Sequence, residues 1–161
     1  MITEEKNIEK TCSFYASDYH LEMIMIPYIN KKIEEKKNVT ILTERDLNDT
    51  IKDVISKMNL SESRKKEILK LNWKKSEIQS MKREKNKTKE QTIFVIGSMS
   101  YIKSTNKEIE KITKCELKQN KFKTKVINCY SLEDAQANAT EIILEHTNVL
   151  NTTEEKEIEK M

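Results

Sequence analysis

"TIFVIGS", residues 92–98, sets four apolar residues in a row, Ile93 to Ile96, and closes on the only glycine in the chain, Gly97. A strand with one wet face alternates apolar and polar side chains, whereas a strand covered on both faces is apolar throughout. The stretch therefore predicts a buried strand in a parallel sheet with helices on either side. Working outward, TCSFYAS (11–17), NVTILTE (38–44), FKTKVINCY (122–130) and TNVLNT (147–152) read as further strands. Helices are expected over 19–36, 46–59, 61–73, 107–120 and 132–146. In the first of these Leu21, Ile24, Met25, Tyr28 and Ile29 share one face, and Pro27 should kink it or open a new first turn. Thr43 with Asp46, Thr105 with Glu108 and Ser131 with Asp134 have the spacing of capping boxes. The expectation is an α/β three-layer sandwich, a mainly parallel sheet of about five strands with helices on both faces.

At 161 residues the chain is one domain, expected over 11–152. The stretches TEEKNIEK (3–10) and TEEKEIEK (153–160) are nearly identical Glu/Lys strings and read as disordered tails, 1–10 and 153–161. No apolar run approaches the roughly 18 residues that span a bilayer, and the N-terminal stretch is polar and acidic, so a cytoplasmic protein without membrane contact is expected. Cys12, Cys115 and Cys129 are odd in number and widely spaced, which argues against a disulfide framework and a zinc site; no metal or cofactor is expected. Cys12 and Cys129 fall inside strands and read as core.

The net charge of +3 conceals a basic segment. Residues 64–91 hold eleven basic and four acidic side chains, which leaves the rest of the chain net acidic. Arg64, Lys65, Lys66, Lys74, Lys75, Lys82 and Arg83 are the residues through which nucleic acid would be contacted, and Trp73 is the one aromatic there for stacking. The alternative is a solvated helix followed by a mobile basic connector over 74–91.

In a parallel sheet of this kind ligands bind beyond the carboxyl ends of the strands. Ser17, Asp18 and His20 follow the first strand, Glu44 the second, and Gly97 and Ser98 the third, so these six are the candidate ligand-binding residues. Asp18 and His20 form an acid–base pair or serve the start of a helix with Ser17. Gly97 answers a tight turn or a close approach to its backbone. His146 ends a helix and suits the negative end of its dipole. Neither G-x-x-x-x-G-K-[ST] nor G-x-G-x-x-G occurs, so the glycine cradle for a phosphate is missing.

The set T-C-S-F-Y-A-S (11–17), I-P-Y-I (26–29), I-E-E-K-K-N-V-T-I-L-T-E (33–44), I-G-S-M-S-Y (96–101), C-E-L-K-Q-N (115–120), I-N-C-Y (127–130) and I-I-L-E-H-T-N-V-L (142–150) resembles the MEDS family, the methanogen/methylotroph sensory domains. That resemblance implies a RecA/Rossmann-like fold, a degenerate relative of the RecA/KaiC-like ATPases. "YASDYHLE" would then occupy the place of a phosphate-binding loop, and Gly97 that of a metal-binding acid. Loss of both implies a non-enzymatic sensory or regulatory domain with no catalytic residues. It would bind a small molecule, with apolar, aromatic or halogenated molecules as the implied classes, or a signalling protein partner. Apolar residues that read as core would serve a homodimer face equally well.

Overall fold

The computed structural model describes residues 8–76, 90–117, 123–151 and 155–158. β1 (Ile8–Tyr15) leads into α1 (Asp18–Glu34), β2 (Asn38–Thr43) into α2 (Asn48–Ser56) and α3 (Glu62–Leu69), and β3 (Glu90–Ile96) into α4 (Met99–Leu117). β4 (Lys123–Ser131) then leads into α5 (Leu132–Glu145) and β5 (Asn148–Leu150). These five strands run parallel in the order β2-β3-β4-β1-β5, and β6 (Glu155–Glu157) adds antiparallel to β5 at the edge. The result is a Rossmann-like three-layer sandwich, in an order that is neither the 3-2-1-4-5-6 nor the 2-1-3-4-5 of familiar doubly wound sheets.

The stretch 92–98 accounts for the layering. Phe94 and Ile96 project into a core with Leu21, Met25, Ile51 and Ile55 from α1 and α2, while Ile93 and Val95 project into a second core with Ile102, Ile109 and Ile142 from α4 and α5. Successive side chains of a strand point to opposite faces, so in a sheet covered on both faces apolar and polar side chains alike are buried, and a polar one there needs a hydrogen-bond partner. β4, between β1 and β3, is buried from Thr124 to Tyr130 for the same reason.

Several expectations are corrected. β1 starts at Ile8, paired with Thr124, inside the segment read as an N-terminal tail. Residues 155–157, read as part of a C-terminal tail, form β6, and Glu155 accepts hydrogen bonds from Thr11 at 2.8 Å and Lys125 at 2.5 Å. Pro27 lies inside a continuous α1 on its exposed side. α4 begins at Met99, eight residues before the expected start, because Ser98 caps it by accepting the Tyr101 N–H at 3.3 Å. Of the three capping pairs only Ser131 caps a helix, accepting the Asp134 N–H at 3.2 Å. Thr105 is buried within α4, and the Thr43 hydroxyl donates to the Arg45 carbonyl at 2.7 Å, closing a turn.

The connector begins tightly held. Trp73 is in the core, its indole N–H donating to the Ile68 carbonyl at 2.9 Å, so it offers no stacking surface. Ser76 lies along the edge of β2: its N–H donates to Thr43 O at 2.9 Å, and its hydroxyl accepts the Thr43 N–H at 3.3 Å. Residues 77–89, most of the expected mobile segment, lie outside the described residues.

Candidate functional site

Two residues, Ala16 and Ser17, join β1 to α1, and the Ala16 N–H and the Ser17 hydroxyl and carbonyl are engaged at the helix start. Ser17 Oγ accepts the His20 N–H at 3.1 Å, and His20 Nδ1 accepts the Ala16 N–H at 2.9 Å. Asp18 turns elsewhere: its Oδ1 accepts from Arg45 Nε at 3.1 Å and Nη2 at 2.6 Å. Arg45 Nη2 also donates to the Tyr15 hydroxyl at 2.9 Å, with the guanidinium 5.4 Å from the centre of that ring. Asp18 and His20 are thus bonded to different partners: Ser17 and His20 serve the helix start, while Asp18 holds Arg45.

The second half of the candidate set gathers at the ends of β2 and β3. Glu44 Oε1 accepts the Ser98 N–H at 2.8 Å, and the Ser98 hydroxyl donates to Oε2 at 3.4 Å. Gly97 has no positive φ. A Cβ there would stand 2.7 Å from Tyr101 Cδ2 and 2.9 Å from Glu44 Cβ, so the close approach, made by the chain's own side chains, explains the glycine. The six residues therefore form two clusters, Ser17, Asp18 and His20 after β1 and Glu44, Gly97 and Ser98 after β2 and β3. Arg45, next to Glu44, joins them. Its ion pair with Asp18 spans the strand ends and stays about one-third exposed.

Tyr15, Arg45 and Glu22 were not among the six. Arg45 could have been found from its place in a strand-end segment, but Glu22 gave no signal, because a glutamate within LEMIMI reads as the wet side of an amphipathic helix. α1 instead packs on the sheet, α2 and α3 together, and Glu22 is fully buried. Its Oε2 accepts the Thr50 hydroxyl at 2.6 Å, while Oε1 has no partner among the described residues. Burial pushes its carboxyl up to about 7 against the pull of the Thr50 bond, with Asp18 adding to the rise and Arg45 opposing it.

On the other face, α4 and α5 border a groove of about 460 Å³. Its floor is an amide pair: Asn106 Nδ2 donates to Asn128 Oδ1 at 2.8 Å, and Asn128 Nδ2 lies 2.9 Å from His146 Nε2. His146 is buried, and its Nδ1 donates to the Ile142 carbonyl at 2.6 Å, so it does close the last turn of α5. Rim charges pair with each other, Lys103 with Glu141 at 2.5 Å and Lys10 with Glu110 at 2.9 Å.

Burial pushes the Cys12 thiol up to about 11 and raises that of Cys129 as well, which suits core packing and opposes a thiolate nucleophile. In the basic segment, Arg64 holds α3 to α1 by donating to Asn30 O at 2.9 Å and Oδ1 at 2.7 Å, and Lys65 lies 3.7 Å from Glu62. Lys66, Lys74 and Lys75 are exposed; Lys82 and Arg83 lie outside the described residues. Among the described residues no three or more His, Cys, Asp or Glu gather as a metal site, and no helix is long and apolar enough to cross a membrane. Compared with family models, curated proteins and solved structures, the chain matches none.

Proposed function

We propose that the chain is a non-enzymatic regulatory domain that receives a small molecule or a protein partner at the carboxyl ends of β1, β2 and β3, as its resemblance to the MEDS domains implies. The observation that carries this reading is the Arg45 side chain, stretched between Asp18 and Tyr15 across the strand ends. A partly exposed guanidinium held by one carboxylate is a ready anchor, since an incoming acceptor can exchange with Asp18 at little net cost. The same region is poorly made for a nucleotide. A phosphate needs free backbone N–H groups and positive potential at the helix start, whereas this turn is two residues long, internally capped, and followed by the negative charge of Asp18. The phosphoryl-transfer ancestry implied by the resemblance would survive here as scaffold alone.

A thermal-shift screen tests the reading, with magnesium and ATP, GTP or cyclic nucleotides in one arm and aromatic metabolites that carry a carboxylate or carbonyl acceptor in the other. A ligand at 100 times its Kd stabilises by about 2.7 kcal/mol, roughly 5–10 °C in a small domain. The expected result is a shift in the second arm that Arg45→Ala abolishes. A shift with MgATP, or a ligand whose binding ignores Arg45→Ala, overturns it.

A further inference from the structure

Asp18 and Glu22 are one helical turn apart on α1, so their carboxyl groups are neighbours on one ridge. Only Asp18 holds the guanidinium of Arg45, through both Nε and Nη2. Glu22 is fully buried with one oxygen bonded to Thr50 and the other bonded to nothing among the described residues. An ionised carboxylate cannot rest in that position on a single hydroxyl, because a buried charge needs a counter-charge or several donors. The charged groups acting on it are Asp18 on its own helix and Arg45 from the β2–α2 turn; α2 contributes only the Thr50 hydroxyl.

We propose that Glu22 is a proton-controlled competitor for Arg45. With Glu22 protonated, Arg45 stays outward on Asp18 and Tyr15; when Glu22 ionises, the guanidinium turns inward to bridge Asp18 and Glu22 and lets go of the Tyr15 hydroxyl. The loss of a proton inside the helix packing is thereby converted into a movement of the exposed anchor at the strand ends. The elevated titration of Glu22, near neutral pH, places this exchange where modest changes in acidity act on it. Its regulatory meaning rests on the strand ends being the binding site, whereas the exchange itself does not.

The test needs no ligand, so its failure is distinct from a failure of the ligand screen. The carboxyl carbon of Glu22 and the Nε of Arg45 are followed by NMR in the wild-type chain from about pH 5 to about pH 9. The expected result is one shared midpoint near neutrality, with the Arg45 step absent in Glu22→Gln. Asp18→Asn provides a second check independent of that variant's folding: removing the neighbouring negative charge should lower the Glu22 midpoint. An Arg45 signal that stays flat while Glu22 titrates, a Glu22 midpoint at the ordinary carboxylate value, or a midpoint unmoved by Asp18→Asn overturns the proposal.

Discussion

Glu22 sets a pH dependence whose sign is opposite to that of a paired carboxylate. Its folded value of about 7 lies above the ordinary 4.5, so between these the folded state keeps a proton that the unfolded chain releases. Stability therefore falls as pH rises through this window and remains lower above it. Glu22→Gln should remove the fall, leaving stability near pH 5 little changed and raising it near pH 8 by up to about 3 kcal/mol in urea unfolding. Gly97 gives a second prediction. Alanine there would push on the Tyr101 ring and the Glu44 side chain, and a cost of about 1–3 kcal/mol is expected from the melting temperature. A lone glycine after a buried strand was legible as special from the sequence, but one of the side chains that crowd it, Glu44, lies far away in the chain and could not be read from the stretch around Gly97.

Among the elements, α1 shows what capping chemistry holds in place. It ends in a Schellman arrangement, with the Lys37 N–H donating to Lys32 O at 2.9 Å and the Lys36 N–H to Ile33 O at 3.0 Å, and Lys36 takes φ 58°, where a side chain is strained. Lys36→Gly should stabilise the protein by about 1 kcal/mol, visible as a higher denaturation midpoint at unchanged slope. Ser131→Ala, which deprives α5 of its cap, should cost about 1 kcal/mol. Strand β3 was legible because burial on both faces writes itself as an unbroken apolar run, Ile93 to Ile96; β2 and β4 showed it only in shorter pairs, Ile41-Leu42 and Val126-Ile127. The starts of β1 and α4 were not legible: IEK at 8–10 carries charges that pair with neighbours in space, such as Lys10 with Glu110, and MSYIKST has no clean apolar stripe.

At the level of the whole molecule, the C-terminal strand is fixed by charge. Glu155 lies half-buried between Thr11 of β1 and Lys125 of β4; burial alone would raise its carboxyl, but the Lys125 bond holds it below the ordinary range. A lowered carboxyl contributes stability that is present near neutrality and disappears as pH falls through its folded value. Glu155→Gln should thus cost roughly 1–3 kcal/mol at neutral pH, less than a fully isolated buried ion would, since Glu9 lies 3.7 Å from the Lys125 ammonium; the difference from wild type should vanish in acid. None of this was visible in a Glu/Lys string that matches the other end of the chain, because composition alone does not say which glutamate finds a buried lysine.

Ser76 and β6 sit at opposite margins of the sheet, and together they bear on how the protein behaves in a crowded solution. An open strand margin is a template on which another chain can lengthen the sheet, the first step of aggregation. At the β2 side the Ser76 backbone and hydroxyl already occupy the Thr43 N–H and carbonyl; at the other side the last strand is three residues of Glu-Lys-Glu, too short and too charged to invite a newcomer. Both features disfavour polymerisation through the sheet, which leaves the strand ends and the helices as the surfaces a partner would approach.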